Sequence, residues 1–220
     1  MSNLIPVGTA SVSLALLLGP ALVHATGNFY LKPHVGASFL QDTDINQAGV
    51  VSAGADGDGE FDTGWAAGMA FGYRYGNGWS AELDWEYRTN DNDSIDFSDG
   101  TSFSDGDFSS NTLYLNGYYT FNSDTPGFRP YLGAGVGWVE EIDLDLESGG
   151  LETSYSSDGD IAWQVMAGVE RDIADNWRLQ GEIRYSSIRG VDLDAESGSG
   201  KLKDVDYDAT VLSFAVVYDF

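Results

Sequence analysis

The residues best suited to catalysis in this sequence are His34 and Ser38, four positions apart in a segment of alternating polar and apolar residues. Side chains alternate between the two faces of an extended strand, so both residues point to the same side. A histidine beside a serine, with a carboxylate in reach, could activate the hydroxyl for acyl or ester chemistry. The alternative is a histidine held in a polar network inside the fold. We favour the network, and we expect no enzymatic activity, no catalytic residue and no cofactor.

Acidic side chains suggest a second chemistry, the binding of divalent cations. The chain has 35 Asp and Glu against 10 Lys and Arg, a formal net charge of -25. Runs such as "DGDGE" (56–60) and "DNDSID" (91–96) alternate carboxylates, the ligands that calcium prefers. Neither run fits an EF-hand loop, because "DNDSID" has Asp96 where that loop requires glycine. We expect solvated acidic loops with no specific metal site and at most weak divalent-cation binding, and the negative charge makes nucleic acid an unsuitable partner.

The elements that carry these residues alternate with period two. In "WSAELDWEYR" (79–88), large apolar residues occupy one face, and serine, carboxylates and arginine occupy the other. Eight such segments are present, at 28–41, 61–75, 79–89, 111–121, 130–144, 161–172, 177–188 and 208–220. The connections alternate between short turns and four long stretches near 42–60, 90–110, 145–160 and 189–207. This layout predicts an all-β fold, an eight-stranded antiparallel up-and-down transmembrane β-barrel.

The apolar face carries aromatic residues at two heights, as expected for girdles at the two membrane interfaces. We assign to these girdles Trp65, Trp79, Trp85, Trp138, Trp163, Trp177, Tyr218 and Phe220. A soluble barrel with an apolar interior is the alternative, but six tryptophans are more than an eight-stranded interior accommodates easily.

The polar face then lies inside, where charges must pair because an unpaired buried ion is costly. The predicted interior ion-pair network consists of Lys32, Arg74, Glu82, Asp84, Glu86, Arg88, Glu141, Glu170, Arg178, Glu182, Arg184 and Asp219. Its core is expected to contain Glu82, Glu86, Arg88, Arg184 and Arg74, with Asp219 in reach of Lys32. This network would plug the barrel.

Hairpin registers and glycines make this prediction more specific. A turn centred on Asp175 sets Asp172 opposite Arg178, Glu170 opposite Gln180 and Gly168 opposite Glu182. Inward glycines at 64, 68, 72, 133, 135, 137 and 168 should make room for long side chains of neighbouring strands. Pro33 cannot donate a backbone hydrogen bond, so we expect a bulge or irregular seam there.

The first 25 residues differ from the rest of the chain. They carry no acidic side chain, contain an apolar run from about Val12 to Val23, and end in Val23-His24-Ala25, a small-x-small pattern that a signal peptidase accepts. We interpret residues 1–25 as a cleaved signal peptide and residues 26–220 as the barrel domain. A buried N-terminal helix of the mature fold is the alternative.

Three stretches, "RPYLGAGVGW" (129–138), "GVERDIADNWRLQGEIRYSSI" (168–188) and the closing "FAVVYDF", resemble the small outer-membrane barrel proteins of the OmpA, OmpX and opacity-protein type. The resemblance implies a monomeric barrel in the bacterial outer membrane, in contact with its lipids and lipopolysaccharide. It also implies insertion by the outer-membrane assembly machinery, which recognises a C-terminal strand of the kind formed by Phe214, Val216, Tyr218 and Phe220.

The resemblance leaves several functions open. We expect a non-enzymatic barrel that contributes to envelope integrity or presents acidic loops for surface interaction or adhesion. A narrow conduit for small solutes, as in OmpW-type relatives, is the alternative. A lipid A-modifying enzyme is a third possibility, which depends on His34 alone.

Overall fold

The computed structural model describes residues 28–41, 43–48, 56–97, 102–103, 106–148, 151–195 and 201–220. The predicted signal peptide lies outside these residues. No helix in the described ranges is long and apolar enough to cross a membrane. The described residues form twelve β-strands: β1 (Phe29–Leu40), β2 (Thr43–Ala48), β3 (Asp56–Phe61), β4 (Gly64–Arg74), β5 (Trp79–Phe97), β6 (Ser102–Phe103), β7 (Asp107–Thr120), β8 (Phe128–Ser148), β9 (Leu151–Ser157), β10 (Ile161–Ala174), β11 (Trp177–Ala195) and β12 (Lys201–Asp219).

Eight of the strands described form a closed antiparallel ring, which confirms the predicted barrel. The order around the ring is β1, β4, β5, β7, β8, β10, β11 and β12, and β12 pairs with β1 to close it. The predicted hairpin register is also confirmed, since Asp172 pairs with Arg178, Glu170 with Gln180 and Gly168 with Glu182. We call the enclosed space the lumen. Short connections at 75–78, 121–127 and 175–176 mark one end of the ring, the turn end.

The opposite end, the extended end, differs from the prediction of long loops. There β5 continues to Phe97, β8 to Ser148 and β11 to Ala195, and β12 begins at Lys201. Strands β2 and β3 bridge β12 to β5, and β9 bridges β8 to β11. The acidic stretches between the predicted segments are therefore in large part strands.

Strand β8 shows this alternation most clearly. Ile142, Leu144 and Leu146 are buried, whereas Asp143 and Asp145 between them are partly exposed. They pack inside the extended end with other buried side chains, including Phe108, Tyr155, Val191, Leu193, Leu202, Val205 and Tyr207. Full burial of one such aliphatic side chain contributes about 1.5–3 kcal/mol. The extended end therefore has its own apolar core.

A β-bulge in β8 corrects the predicted position of Glu141. In the ladder to β7, Thr112 pairs with Val139 but Asn111 pairs with Glu141, so Glu140 is the extra residue. The bulge reverses the parity of the strand: Val139 and Ile142 both point inward, and Glu141 is exposed on the outside. Glu141 is therefore not part of the interior network. An extra residue of this kind turns every later side chain of the strand to the other face.

The outer face of the ring carries exposed apolar residues, with aromatic rings toward both ends. Trp79 and Trp177 are exposed near the turn end, where their rings pack at 5.1 Å and 4.8 Å from those of Tyr119 and Tyr218. Phe220, also at the turn end, packs on Tyr218. Toward the extended end, the exposed tryptophans are Trp65, Trp138 and Trp163. Trp85 is half-buried and lies closer to mid-strand, in register with Met69 and Leu113.

The first and last ring strands meet at a seam that includes Pro33. The ladder between β1 and β12 is interrupted at Lys32 and Pro33, yet His34 resumes pairing in the same register. The seam is thus irregular, as predicted, but contains no bulge. At the turn end the backbone N–H of Phe220 donates to the carbonyl of Phe29 at 3.0 Å, which fixes the last residue to the first strand.

Inward glycines lie against long side chains of neighbouring strands. A Cβ added at Gly72 would lie 2.1 Å from Cζ of Tyr30, and one at Gly168 would lie 2.4 Å from the Tyr131 hydroxyl. Gly68, Gly133, Gly135 and Gly137 similarly accommodate His34, Tyr118, Asn116 and Tyr114, whereas a Cβ at Gly64 would first meet the backbone of Thr89. The predicted role of these glycines is confirmed for all of them except Gly64, where the close Thr89 backbone, and not a long side chain, occupies the space.

We predict that Gly72→Ala lowers the free energy of unfolding by about 1–3 kcal/mol, because the new methyl group overpacks the Tyr30 ring. Gly117→Ala, on the outer face of β7, is the control, since nothing lies within 4 Å of its added Cβ. Urea unfolding of refolded protein in detergent measures both. Equal midpoints for the two variants would contradict the close packing of Tyr30 on Gly72.

Candidate functional site

The lumen is the candidate site, and side chains fill it in three layers between the turn end and the extended end. The rim layer, at the turn end, consists of Arg74, Arg129, Arg178, Glu170, Asp172 and Asp219. The middle layer contains Lys32, His34, Glu82, Asp84, Glu86, Arg88, Glu182 and Arg184 with the tyrosines that bind them. The apolar layer is the core of the extended end.

Arginines and carboxylates alternate around the rim layer. Arg129 Nε donates to Glu170 Oε1 at 2.7 Å, and Arg74 Nη1 lies 3.5 Å from Glu170 Oε2. Asp219 lies between Arg74 and Arg178, at 3.2 Å from each. The expected contact of Asp219 with Lys32 is therefore wrong. The Asp219 side chain is at the turn end, whereas the Lys32 ammonium reaches deeper into the barrel.

Glu82 accepts hydrogen bonds at the entrance to the middle layer. The Lys32 ammonium donates at 2.6 Å, and the hydroxyls of Tyr30 and Tyr118 donate at 3.0 Å and 3.2 Å. The Tyr131 hydroxyl donates to Glu182 at 3.0 Å in the same way. Tyr30 reaches Glu82 over Gly72, and Tyr131 reaches Glu182 over Gly168, so each carboxylate ties together strands that are neighbours or next neighbours in the ring.

Arg184 is the centre of the middle layer. Its guanidinium contacts Glu86 at 2.6 Å, Glu182 at 3.0 Å and Asp84 at 3.1 Å, and its side chain is 1% exposed. Arg88 also binds Glu86 and donates to Ser186 at 2.7 Å. The predicted core thus forms around Arg184, Glu86 and Arg88, but Arg74 is not part of it. Arg74 lies at the last residue of β4, so its side chain reaches only the rim.

The charges of the middle layer nearly offset one another. Four carboxylates, those of Glu82, Asp84, Glu86 and Glu182, face the cations of Lys32, Arg88 and Arg184 together with the imidazole of His34. All of these residues are at most 7% exposed. Buried ions at this density are tolerable only because each is paired and hydrogen-bonded.

The geometry of His34 does not favour the catalytic alternative. His34 Nε2 lies 2.9 Å from Asp84 Oδ1, and the pair is buried. The Ser38 hydroxyl instead donates to Asn90 Oδ1 at 2.7 Å. The histidine and the serine thus bind different partners. Among the residues described, no group of three or more His, Cys, Asp or Glu could hold a metal ion.

Open space among the inward side chains depends on depth. At the turn end, Arg74, Arg129, Glu170 and Arg178 line a space of about 240 Å³. Deeper in the lumen the space is small. The cavity between the rim and middle layers measures about 10 Å³, roughly the room of one water molecule. Tyr30, Lys32 and Glu82 line it, together with Tyr118 and Tyr131. Beyond the middle layer, the Arg88 guanidinium lies over the Tyr207 ring at 5.7 Å, where the charged side chains meet the apolar layer.

The site contains residues that are absent from the predicted network, and the parity of the sequence identifies some of them. Arg129 and Tyr131 share the inward parity of Gly133, Gly135 and Gly137 at the start of β8. Assigning aromatic residues to the outer girdles leaves out the inward tyrosines. Gln164 and Asn116, which lie 2.7 Å apart over Gly135, are two neutral residues that carry no charge pattern to detect.

Comparisons with known proteins agree with this architecture. The family described as outer membrane protein beta-barrel domain matches residues 9–220. The crystal structure of Neisserial surface protein A superimposes with a TM-score of 0.52 at 19% identity, covering 88% of this chain and 99% of that chain. The crystal structure of OprG from Pseudomonas aeruginosa gives a TM-score of 0.61 at 16% identity, covering 88% and 97%. No curated protein matches the sequence. At these identities the structural likeness concerns the fold alone.

We predict that Arg184→Ala lowers the free energy of unfolding by about 3–5 kcal/mol, because three buried carboxylates lose their shared cation. Arg189→Ala is the control: Arg189 lies on the outside and binds Asp206 and Asp208 at 2.7 Å and 3.0 Å, where solvent screens the charges. We expect no measurable change for this control. Unchanged urea unfolding of Arg184→Ala in detergent would contradict the role of Arg184 as the shared cation.

Proposed function

Since this chain belongs to the outer membrane protein beta-barrel domain family and is an integral β-barrel of the bacterial outer membrane, we propose that it is a non-enzymatic envelope protein with a plugged lumen. In this proposal it strengthens the outer membrane and presents an acidic, strand-built platform to the outside. The observation that carries the proposal is the filling of the lumen by three successive layers.

The layers close the lumen by different physical means. In the rim and middle layers, paired charges and the tyrosine hydroxyls bound to them fill the interior, so an ion that entered would have to displace paired charges. In the apolar layer, Phe108, Ile142, Leu144 and Tyr207 are completely buried, and an ion there would lose its hydration. A passage would therefore have to open both a charged barrier and an apolar one.

The extended end supports the second half of the proposal. Outer-membrane barrels have short turns on the periplasmic side and longer connections outside, so the extended end faces outward. Neighbouring carboxylates engage two of its cations: Arg189 binds Asp206 and Asp208, and Lys201 lies 3.1 Å from Asp194, whose hydrogen bond raises the pKa of the lysine. The platform therefore stays acidic, which suits cationic partners and weak divalent-cation bridging to lipopolysaccharide.

We predict that the protein produces no resolvable single-channel steps in planar lipid bilayers, because both barriers interrupt the lumen. Protein-free bilayers and bilayers treated with detergent alone are the controls. Stable conductance steps would contradict the plugged lumen and favour a conduit for small solutes.

The C-terminal strand should also direct assembly. Phe214 and Val216 point outward and Phe220 lies at the turn end, where it packs on Tyr218. In this proposal the outer-membrane assembly machinery recognises this strand.

We predict that Phe220→Ala reduces the amount of protein in the outer membrane more strongly than it lowers the unfolding midpoint of protein refolded in detergent. Phe128→Ala is the matched control, because Phe128 is an exposed aromatic residue at the same end but on β8. Immunoblotting of outer-membrane fractions measures the difference. A normal level of Phe220→Ala would contradict the assembly role.

A further inference from the structure

A groove on the outer face of the barrel lies where the apolar band meets the acidic extended end. It has a volume of about 580 Å³ and crosses β4, β5, β7 and β8. Trp65 and Met69 of β4 and Trp85 and Tyr87 of β5 form one wall. Glu141 and Asp143 of β8 form the opposite wall. We call this feature the rim groove; it lies toward the extended end and is separate from the rim layer of the turn end.

Side-chain size and strand register explain why the groove exists. Ser109 and Asn111, short residues of β7, lie between the two walls: Tyr87 pairs with Asn111, which pairs with Glu141, and Ser109 pairs with Asp143. Short side chains between larger ones leave a depression. Neighbouring strands lie about 4.8 Å apart, so the groove extends roughly 14 Å from β4 to β8.

The β8 bulge adds to the charge of the groove. If strict alternation continued through Glu140, Glu141 would point into the lumen and Ile142 would point outward. With the bulge, Glu141 is exposed beside the groove, and no described residue forms an ion pair with it. The bulge thus places Asp143 opposite Ser109, where strict alternation would place Ile142.

The two walls favour one kind of ligand. The wall of Trp65, Met69, Trp85 and Tyr87 suits an alkyl chain, and the Trp65 and Tyr87 rings pack 5.4 Å apart on the side opposite the carboxylates. Aromatic faces and carboxylates both attract cations, and carboxylates repel phosphate and sulfate. The head group of an anionic amphiphile would be repelled by the carboxylates of Glu141 and Asp143, whereas the head group of a cationic amphiphile would be attracted to them.

We propose that the rim groove binds a cationic amphiphile of the outer leaflet, with its alkyl chain along Trp85 and Met69 and its ammonium group between Glu141 and Asp143. The site lies outside the lumen, so it functions whether or not the lumen conducts. It gives the barrel a specific contact with membrane-active cations at the outer surface.

Quenching of tryptophan fluorescence by bromoundecyltrimethylammonium tests this proposal in phosphatidylcholine bilayers. A Trp138→Phe background removes the tryptophan of the neighbouring surface. We expect saturable quenching that weakens about tenfold in affinity when Glu141→Gln and Asp143→Asn are combined, since two partly exposed ion pairs are lost.

The control is the pair Glu140→Gln and Asp158→Asn, which removes the same charge from the adjoining surface beside Leu113 and Trp138. We expect this pair to leave the affinity unchanged, and we expect bromoundecyl sulfate to give no saturable quenching. Equal weakening by both pairs, or equal affinity for the sulfate, would overturn the proposal. If the double variant unfolds at a lower temperature than wild type, Glu141→Gln alone provides the comparison, with Glu140→Gln as its control.

Discussion

Closure of eight strands into a ring is the constraint on which the rest of the structure depends. An eight-stranded barrel has an interior just wide enough for its own side chains, so whatever points inward must pack or pair there. Arg184 shows how this requirement is met, because one guanidinium binds three carboxylates from two strands on opposite sides of the ring. The glycines follow from the same constraint, since Tyr30 reaches Glu82 only because Gly72 leaves room for its ring.

Along the barrel axis the lumen changes from charged side chains to apolar ones, because the outside of the barrel changes from lipid to water. Within the membrane the outer face must be apolar, so charged side chains can be accommodated only inside, as pairs. Above the membrane the outer face meets water, and β8 exchanges its faces at the Glu140 bulge. The acidic residues then point outward and the aliphatic ones inward, as in a soluble β-protein. The extra residue Glu140 thus marks the level at which the apolar side chains of β8 change from the lipid-facing side to the inside of the barrel.

The ring could be predicted because each ring strand keeps a period of two along most of its length, and the hairpin register because the turn around Asp175 is tight. Features that depend on a break in that period could not be predicted. Extending the parity of β8 through the bulge places Glu141 in the lumen, and the acidic content of the strands at the extended end makes them resemble loops. Strand adjacency alone predicts a contact between Asp219 and Lys32. The partners of Asp219 in the structure, Arg74 and Arg178, depend on how deep each side chain lies along the barrel axis. A pattern of inward and outward residues carries no information about this depth.

The same features indicate where this protein interacts with its surroundings. In the plugged lumen that we propose, arginine, lysine and tyrosine already bind the carboxylates, so few of these groups are left for a ligand. The outer face has the opposite character: at the upper edge of the apolar band, Glu141 lies across the rim groove from Trp65 and Tyr87, where we propose that a membrane-bound cation binds. The bulge in β8 removes Glu141 from the lumen and places it beside the rim groove. One backbone irregularity therefore determines both which side chains fill the interior and which carboxylates lie on the outer surface.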